Sequence, residues 1–303
     1  MTDLAVNLAG LALKNPVLTA SGTFGFGREY AEFYDLSLLG GVVVKGTTLE
    51  KRQGNPPPRV AESVGGMLNS VGLQNPGTEA VIATELPFLQ QFDTIKIVNI
   101  AGNTADQYCA VAEKISASGL ADALEVNISC PNVKAGGLAF GTDPLVAGEI
   151  TRAVRAVTRL PIFIKLSPNV TDIVPIAKAC EAEGADGISL INTISGLVID
   201  LENRRPFFAN KVAGMSGPAL KPVALRLVWQ AARAVKIPVV GLGGIMTGRD
   251  ALEFMLAGAA AVQIGSVNFY DPASGPRIVL EMEQWLQEHK VADVKELIGA
   301  LED

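Results

Sequence analysis

Short runs of aliphatic and β-branched residues recur along the chain. Each is followed by glycine or a polar residue and then by a stretch with helical spacing. The runs fall at 17–20, 42–45, 95–99, 124–128, 162–166, 187–191, 238–242 and 261–265. They read as apolar along their length, the pattern of strands covered on both faces. Between several of them lie amphipathic stretches at 104–118, 144–158, 172–183 and 248–256. Eight strands alternating with helices predict an α/β fold, a parallel (β/α)8 barrel of the TIM type. Ahead of the first run, 4–8 and 11–13 flank Ala9-Gly10 and predict a small N-terminal β-hairpin closing the barrel's bottom. Two connections, after strands 2 and 6, exceed ordinary βα loops: 46–94, with the rigid Asn55-Pro56-Pro57-Pro58-Arg59, and 193–237. Long connections without evident structure are commonly lids or subunit contacts. No linker, low-complexity tract or charge block divides the chain, so residues 1–303 are expected to form one domain.

Composition narrows the function classes. Hydrophobic residues make up 49% of the 303 positions and charged residues 18%, enough apolar material for a large core. The formal charge of −6 and a pI near 5.0 argue against a general nucleic-acid binder, which needs a basic face. Three cysteines, Cys109, Cys130 and Cys180, are too few and too scattered for a disulfide framework or a cysteine-rich metal cluster, which fits a reducing, cytoplasmic setting. The first residues lack a basic region followed by an apolar stretch, and no apolar run reaches the roughly 18 residues of a membrane span. A soluble protein is expected.

In this architecture the active site lies at the C-terminal strand edges. Those edges carry Ser21-Gly22, Lys45, Asn99, Asn127, Lys165, Asn192-Thr193, Gly243-Gly244 and Gly265-Ser266. Single polar residues there often only cap the following helix. Lys45 and Lys165 are different, because ammonium groups partly desolvated inside the rim need an anionic partner. The glycines closing strands 7 and 8 fit either plain tight turns or a backbone cradle for phosphate; their occurrence at both strand ends favours the cradle. The amides suit the edges of flavin-like and pyrimidine rings. The single histidine, His289, falls in a charged C-terminal helix and reads as a surface residue. Without clustered carboxylates or further histidines at the strand ends, no metal site is expected. Cys109 and Cys180 sit among alanines in helical patterns and read as small core residues. Cys130, just past the fourth strand and heading a glycine-containing loop, fits either packing or catalysis.

At these residues the sequence resembles the dihydroorotate dehydrogenases, nearly end to end. Matching stretches are Thr19-Ala20-Ser21-Gly22, Val44-Lys45-Gly46-Thr47, 54–59, Asn69-Ser70-Val71-Gly72-Leu73-Gln74-Asn75, Asn127-Ile128-Ser129-Cys130-Pro131-Asn132, Lys165-Leu166-Ser167-Pro168-Asn169, Asn192-Thr193, Ser216-Gly217, Gly243-Gly244-Ile245 and Gly265-Ser266. Any one is weak; the ordered set is specific. The resemblance implies oxidation of dihydroorotate to orotate in pyrimidine biosynthesis. It implies FMN held by Ser21, Lys45, Gly46, Asn99, Asn127, Lys165, Ile191, Gly217, Gly243, Gly244, Gly265 and Ser266. Substrate would be held by Lys45, Asn69, Ser70, Val71, Gly72, Leu73, Asn127, Asn192 and Thr193. Cys130 would be the base that removes the C5 proton; the membrane-associated class has serine there, so the soluble class is implied. Gly65-Gly66-Met67-Leu68-Asn69, Gln74-Asn75-Pro76-Gly77 and 267–272 resemble the NAD-linked type, a homodimer joined by a subunit carrying FAD and a 2Fe-2S cluster. The chain has no Gly-x-Gly-x-x-Gly opening a βαβ unit and no spare cysteines for a cluster, in keeping with NAD chemistry on a partner. Competing readings are a fumarate-using homodimer of the same family, a flavin barrel reducing dihydropyrimidine or a uridine in RNA, a flavin-free phosphate-binding isomerase or synthase, and a non-catalytic binding protein.

Overall fold

The computed structural model describes residues 2–129 and 140–302. Its centre is a closed barrel of eight parallel strands: β1 (Val17–Thr19), β2 (Gly41–Thr47), β3 (Ile95–Ile100), β4 (Ala123–Asn127), β5 (Ile162–Lys165), β6 (Gly187–Leu190), β7 (Val239–Leu242) and β8 (Ala259–Ile264). The strands pair in chain order and β8 closes on β1, with registers such as Val44 opposite Val98, Val126 opposite Ile164 and Ile264 opposite Thr19. Each expected run lies within two residues of an observed strand at both ends, because β-branched runs buried on both faces leave little choice of element. One expectation is corrected. The runs are not apolar throughout: Asn99, Glu125, Lys165, Ser189 and Gln263 are buried within them.

Helices follow the strands: α1 (Ala105–Ser118), α2 (Pro144–Val157), α3 (Val174–Ala182), α4 (Lys221–Ala232), α5 (Gly248–Leu256) and α6 (Ser274–Glu288). Their starts are written in cap chemistry. The Thr104 side chain accepts from the Gln107 N–H, Asp143 accepts from the Leu145 N–H ahead of Pro144, and Thr247 with Asp250 forms a reciprocal capping box. Gly119, in the left-handed region at φ 67°, terminates α1. The hairpin Val6–Leu8/Leu11–Leu13 forms around Ala9 and Gly10, and Val6, Leu8 and Leu13 bury into the main core.

The two long connections are not structureless. Strands Val60–Ser63 and Gly66–Asn69 from the first join Ile194–Leu197 and Val212–Ser216 from the second in one antiparallel four-stranded sheet. Leu68, Phe208 and Ala213 form a small core of their own beneath it. The second connection also contains α4. Their strands are too short and too irregular in alternation to stand out from sequence. The sheet ties two segments far apart in the chain together across the C-terminal end of the barrel, where the site lies.

Candidate active site

A pocket opens at the C-terminal end of the barrel, roofed on one side by the added sheet. Its wall includes Ser21, Lys45, Gly46, Asn99, Asn127, Lys165, Ile191, Gly217, Gly243, Gly244, Gly265 and Ser266, together with Asn69, Val71, Gly72, Leu73, Asn192 and Thr193. Ser70 departs from the expectation: it is buried away from the pocket, with the Asn55 Nδ2 donating to its carbonyl and approaching its hydroxyl. The Asn55 side chain, bonded to Ser70 from behind the loop, accounts for this. Cys130 lies outside the described residues. Cys180 is fully buried with its thiol pushed up to about 12 by desolvation, as a core residue should be. The loop at 69–73 is pinned from behind: the Asn75 Nδ2 donates to the Leu73 carbonyl at 2.8 Å, and a Cβ on Gly72 would meet the Asn55 side chain at 2.6 Å.

Beneath the pocket floor is a polar cluster that the apolar reading of the strands missed. Glu125, on β4 and fully buried, accepts from Asn99 Nδ2 at 2.5 Å, Gln263 Nε2 at 2.6 Å and Lys165 Nζ at 3.2 Å. Gln263 reaches it from β8, on the opposite side of the barrel. Burial pushes the Glu125 pKa up, but the Lys165 ammonium and the two amides outweigh it and hold the carboxyl below its ordinary value. The protein thus supplies Lys165 with an anionic partner, Glu125. A glutamate inside an otherwise aliphatic strand, Ala123-Leu124-Glu125-Val126-Asn127, was the visible signal for it. Higher in the pocket, Asn127 Nδ2 approaches Asn99 Oδ1 at 3.4 Å, the Ser129 hydroxyl donates to Asn127 Oδ1 at 3.0 Å, and Asn192 Nδ2 donates to Ser129 Oγ at 2.9 Å.

The glycines separate into two kinds. Gly217 (φ 124°), Gly243 (φ 131°) and Gly244 (φ 77°) hold conformations that favour glycine, and a Cβ on each would strike protein atoms at 2.4, 2.8 and 2.8 Å. Their identity is required by the turns themselves. Gly265 has neither constraint, since a Cβ there would find its nearest neighbour, Ala20 Cβ, at 3.5 Å. Its lack of a side chain leaves the backbone of the pocket wall open to close approach from the pocket. Gly244 also sits against the Gly217 carbonyl and the Lys221 N at the start of α4, so the β7 loop and a helix N-terminus meet at one place. That combination suits phosphate. With the amides and the ammonium at the centre supplying donors and acceptors for a ring edge, the residues present fit FMN. Among the described residues no three His, Cys, Asp or Glu side chains gather as a metal site.

Fold and site together define a (β/α)8 barrel of the enzyme type, with a C-terminal mouth whose residues suit a phosphate-bearing ring cofactor. A family model described as dihydroorotate dehydrogenase matches residues 3–286. The chain is 56% identical over 300 residues to the dihydroorotate dehydrogenase B (NAD(+)), catalytic subunit, of Geobacter sulfurreducens, covering 99% of this chain and 98% of that one. It is also 56% identical over 299 residues to the protein of the same name from Alkaliphilus metalliredigens, covering 99% of both. A crystal structure of DHODH from Eimeria tenella in complex with ferulenol shares the fold at TM-score 0.82 and 23% identity, over 98% of this chain and 88% of that one. The chain belongs to the dihydroorotate dehydrogenase family, and membership implies FMN binding.

Proposed function

We propose that this chain is the catalytic subunit of an NAD-linked dihydroorotate dehydrogenase, oxidising (S)-dihydroorotate to orotate in de novo pyrimidine biosynthesis. The observation that carries this reading is convergence. Lys45 from β2, Asn99 from β3, Asn127 from β4, Lys165 from β5 and Asn192 just beyond β6 border one pocket. A flavin-free phosphate barrel has no evident use for that set of amides and ammonium groups.

FMN, when bound, supplies the acceptor for the hydride leaving C6 of the substrate. Gly217, Gly243, Gly244, Gly265 and Ser266 would hold its phosphate, and Ser21, Lys45, Gly46, Asn99, Asn127, Lys165 and Ile191 the rest. Asn69, Val71, Gly72, Leu73, Asn127, Asn192 and Thr193 would orient the substrate ring, with Lys45 bordering both ligands. Cys130 is assigned as the base at C5. That proton lies beside a carbonyl, so its removal builds enolate-like charge that neighbouring N–H donors stabilise. A thiolate suits this task, and water exclusion around the ring protects the reduced cofactor. Electrons would leave through a second subunit carrying FAD and a 2Fe-2S cluster to NAD+, in a cytoplasmic assembly built on a homodimer of this single-domain chain. In support, relatives across 99% of the chain are named catalytic subunits, and no helix among the described residues is long and apolar enough to cross a membrane.

The purified protein is expected to be yellow and to bleach on anaerobic addition of dihydroorotate. C130S should keep its FMN while its flavin reduction slows about 10²- to 10⁴-fold, the range for losing a general base; an unchanged rate removes Cys130 from the mechanism. Turnover with fumarate by the chain alone would refute the NAD-linked assignment, and turnover with NAD+ only when the partner subunit is added supports it.

A further inference from the structure

Two fully buried side chains, Glu125 and Ser129, stand behind the pocket wall and bond to residues that form it. Glu125 contacts Asn99, Lys165 and Gln263, all of which border the pocket. Ser129 bridges Asn127 and Asn192, which also border it. A carboxylate only accepts hydrogen bonds, so Asn99 must present its Nδ2 to Glu125 and its oxygen to Asn127. Asn127 then turns its Nδ2 toward Asn99 and its oxygen toward the Ser129 N–H and O–H. Ser129, having spent its proton, accepts from Asn192, whose own oxygen takes the Thr193 N–H at 2.8 Å. Each amide in the series has one orientation, and the acceptor at its base selects it.

We propose that Glu125 is a positioning residue shared by the two halves of the site: its negative charge tunes the flavin through Lys165 and sets the direction of one hydrogen-bond chain, Asn99–Asn127–Ser129–Asn192, that presents the amides to cofactor and substrate. Reduction of a flavin adds negative charge, which Lys165 favours and Glu125 opposes. Neutralising Glu125 therefore raises the flavin potential. Breaking the chain at Ser129 frees the Asn192 amide to rotate, weakening substrate-side binding while leaving the flavin charge environment alone. The inference rests on the dihydroorotate dehydrogenase reading above.

The test uses the FMN-loaded protein and two variants. E125Q keeps the side-chain volume and removes the charge; the expected result is a rise of about 30 mV in the two-electron midpoint potential, the equivalent of a tenfold shift in the reduced-to-oxidised ratio. An unchanged potential overturns the proposal, because a purely structural Glu125 would not move it. S129A is expected to retain FMN and the wild-type potential while orotate, followed by the change in the flavin spectrum, binds about tenfold more weakly. Unchanged orotate affinity in S129A likewise overturns the proposal, and this variant carries the test alone should E125Q not fold. A wild-type protein that takes up no FMN would instead remove the functional reading on which both variants depend.

Discussion

Replacing Lys165 by methionine isolates the energetics of the buried ion pair from the chemistry it serves. The ammonium and the Glu125 carboxylate are 3.2 Å apart, with side chains 4% and 0% exposed. At an effective dielectric constant near 20 their attraction is about 5 kcal/mol, an upper figure that desolvation of both groups largely offsets. Removing one partner of such a pair costs about 3–5 kcal/mol, because the remaining charge is stranded. Here the stranded carboxylate keeps its bonds from Asn99 and Gln263, which places the expectation for K165M near the low end, about 3 kcal/mol at pH 7. The lost cation also lets burial raise the Glu125 pKa, so the carboxyl protonates more readily in the folded variant and the deficit narrows toward pH 5. In K165M/E125Q no charge is stranded, and stability should return to within about 1 kcal/mol of wild type. Guanidinium unfolding of the FMN-free proteins at pH 7 and pH 5 measures all three. A K165M protein within 1 kcal/mol of wild type at pH 7, or a double variant no better than the single one, refutes the account of Lys165 and Glu125 as a mutually dependent pair.

Three further outcomes follow from the same geometry. Gly265→Ala adds a methyl where the nearest atom is 3.5 Å away, so folding stability should change by less than about 0.5 kcal/mol while FMN affinity falls at least tenfold; equal FMN affinity by fluorescence titration would refute the close-approach argument. Gly217→Ala places a Cβ 2.4 Å from the Gly66 Cα at φ 124°, so about 3 kcal/mol of destabilisation is expected from overpacking and backbone strain, and a wild-type unfolding midpoint would contradict it. In the wild type, Glu125 titrates below its ordinary value, so its contribution is fully present above the unfolded-state pKa and is lost as pH falls through the folded-state value. E125Q should therefore show a shallower acid-side loss of stability, by up to about 1.4 kcal/mol per pH unit for one group, and identical acid titration curves would sink the assignment.

The barrel was legible because its strands are β-branched runs with no competing element and the stretches between them have helical spacing; Thr104, Asp143 and Thr247 cap three of those helices. The wall residues at strand ends were legible for a related reason, since closure of the barrel alone brings their termini together. What escaped was whatever depends on contacts between distant segments. The sheet made by 60–63, 66–69, 194–197 and 212–216 joins two local pairs, 60–63 with 66–69 and 194–197 with 212–216, through pairing across more than a hundred residues, Gly214 with Asn69, which nothing local signals. Ser70 sits among pocket-lining neighbours in the sequence, yet the Asn55 side chain holds it behind the wall. Glu125 and Gln263 each lie within an aliphatic run that masks them in the sequence, and only closure of the barrel brings them together across its interior.

The meeting of Glu125 and Gln263 shows how this fold builds a polar floor beneath its pocket. A parallel barrel of this size fills its interior with side chains, and the usual filling is aliphatic. Substituting a carboxylate, an ammonium and amides into that filling carries a desolvation cost that only a closed set of partners can offset. In this chain the partners of Glu125 come from β3, β5 and β8, so no single strand can shift without loosening the others. The same cross-strand ties that satisfy the buried charge therefore hold Asn99, Lys165 and Gln263 at fixed positions on the pocket floor. Rigidity at the cofactor face then follows from satisfying the charge beneath it, and a hydrophobic replacement of the whole cluster would be expected to preserve the barrel while releasing the donors that the ring requires.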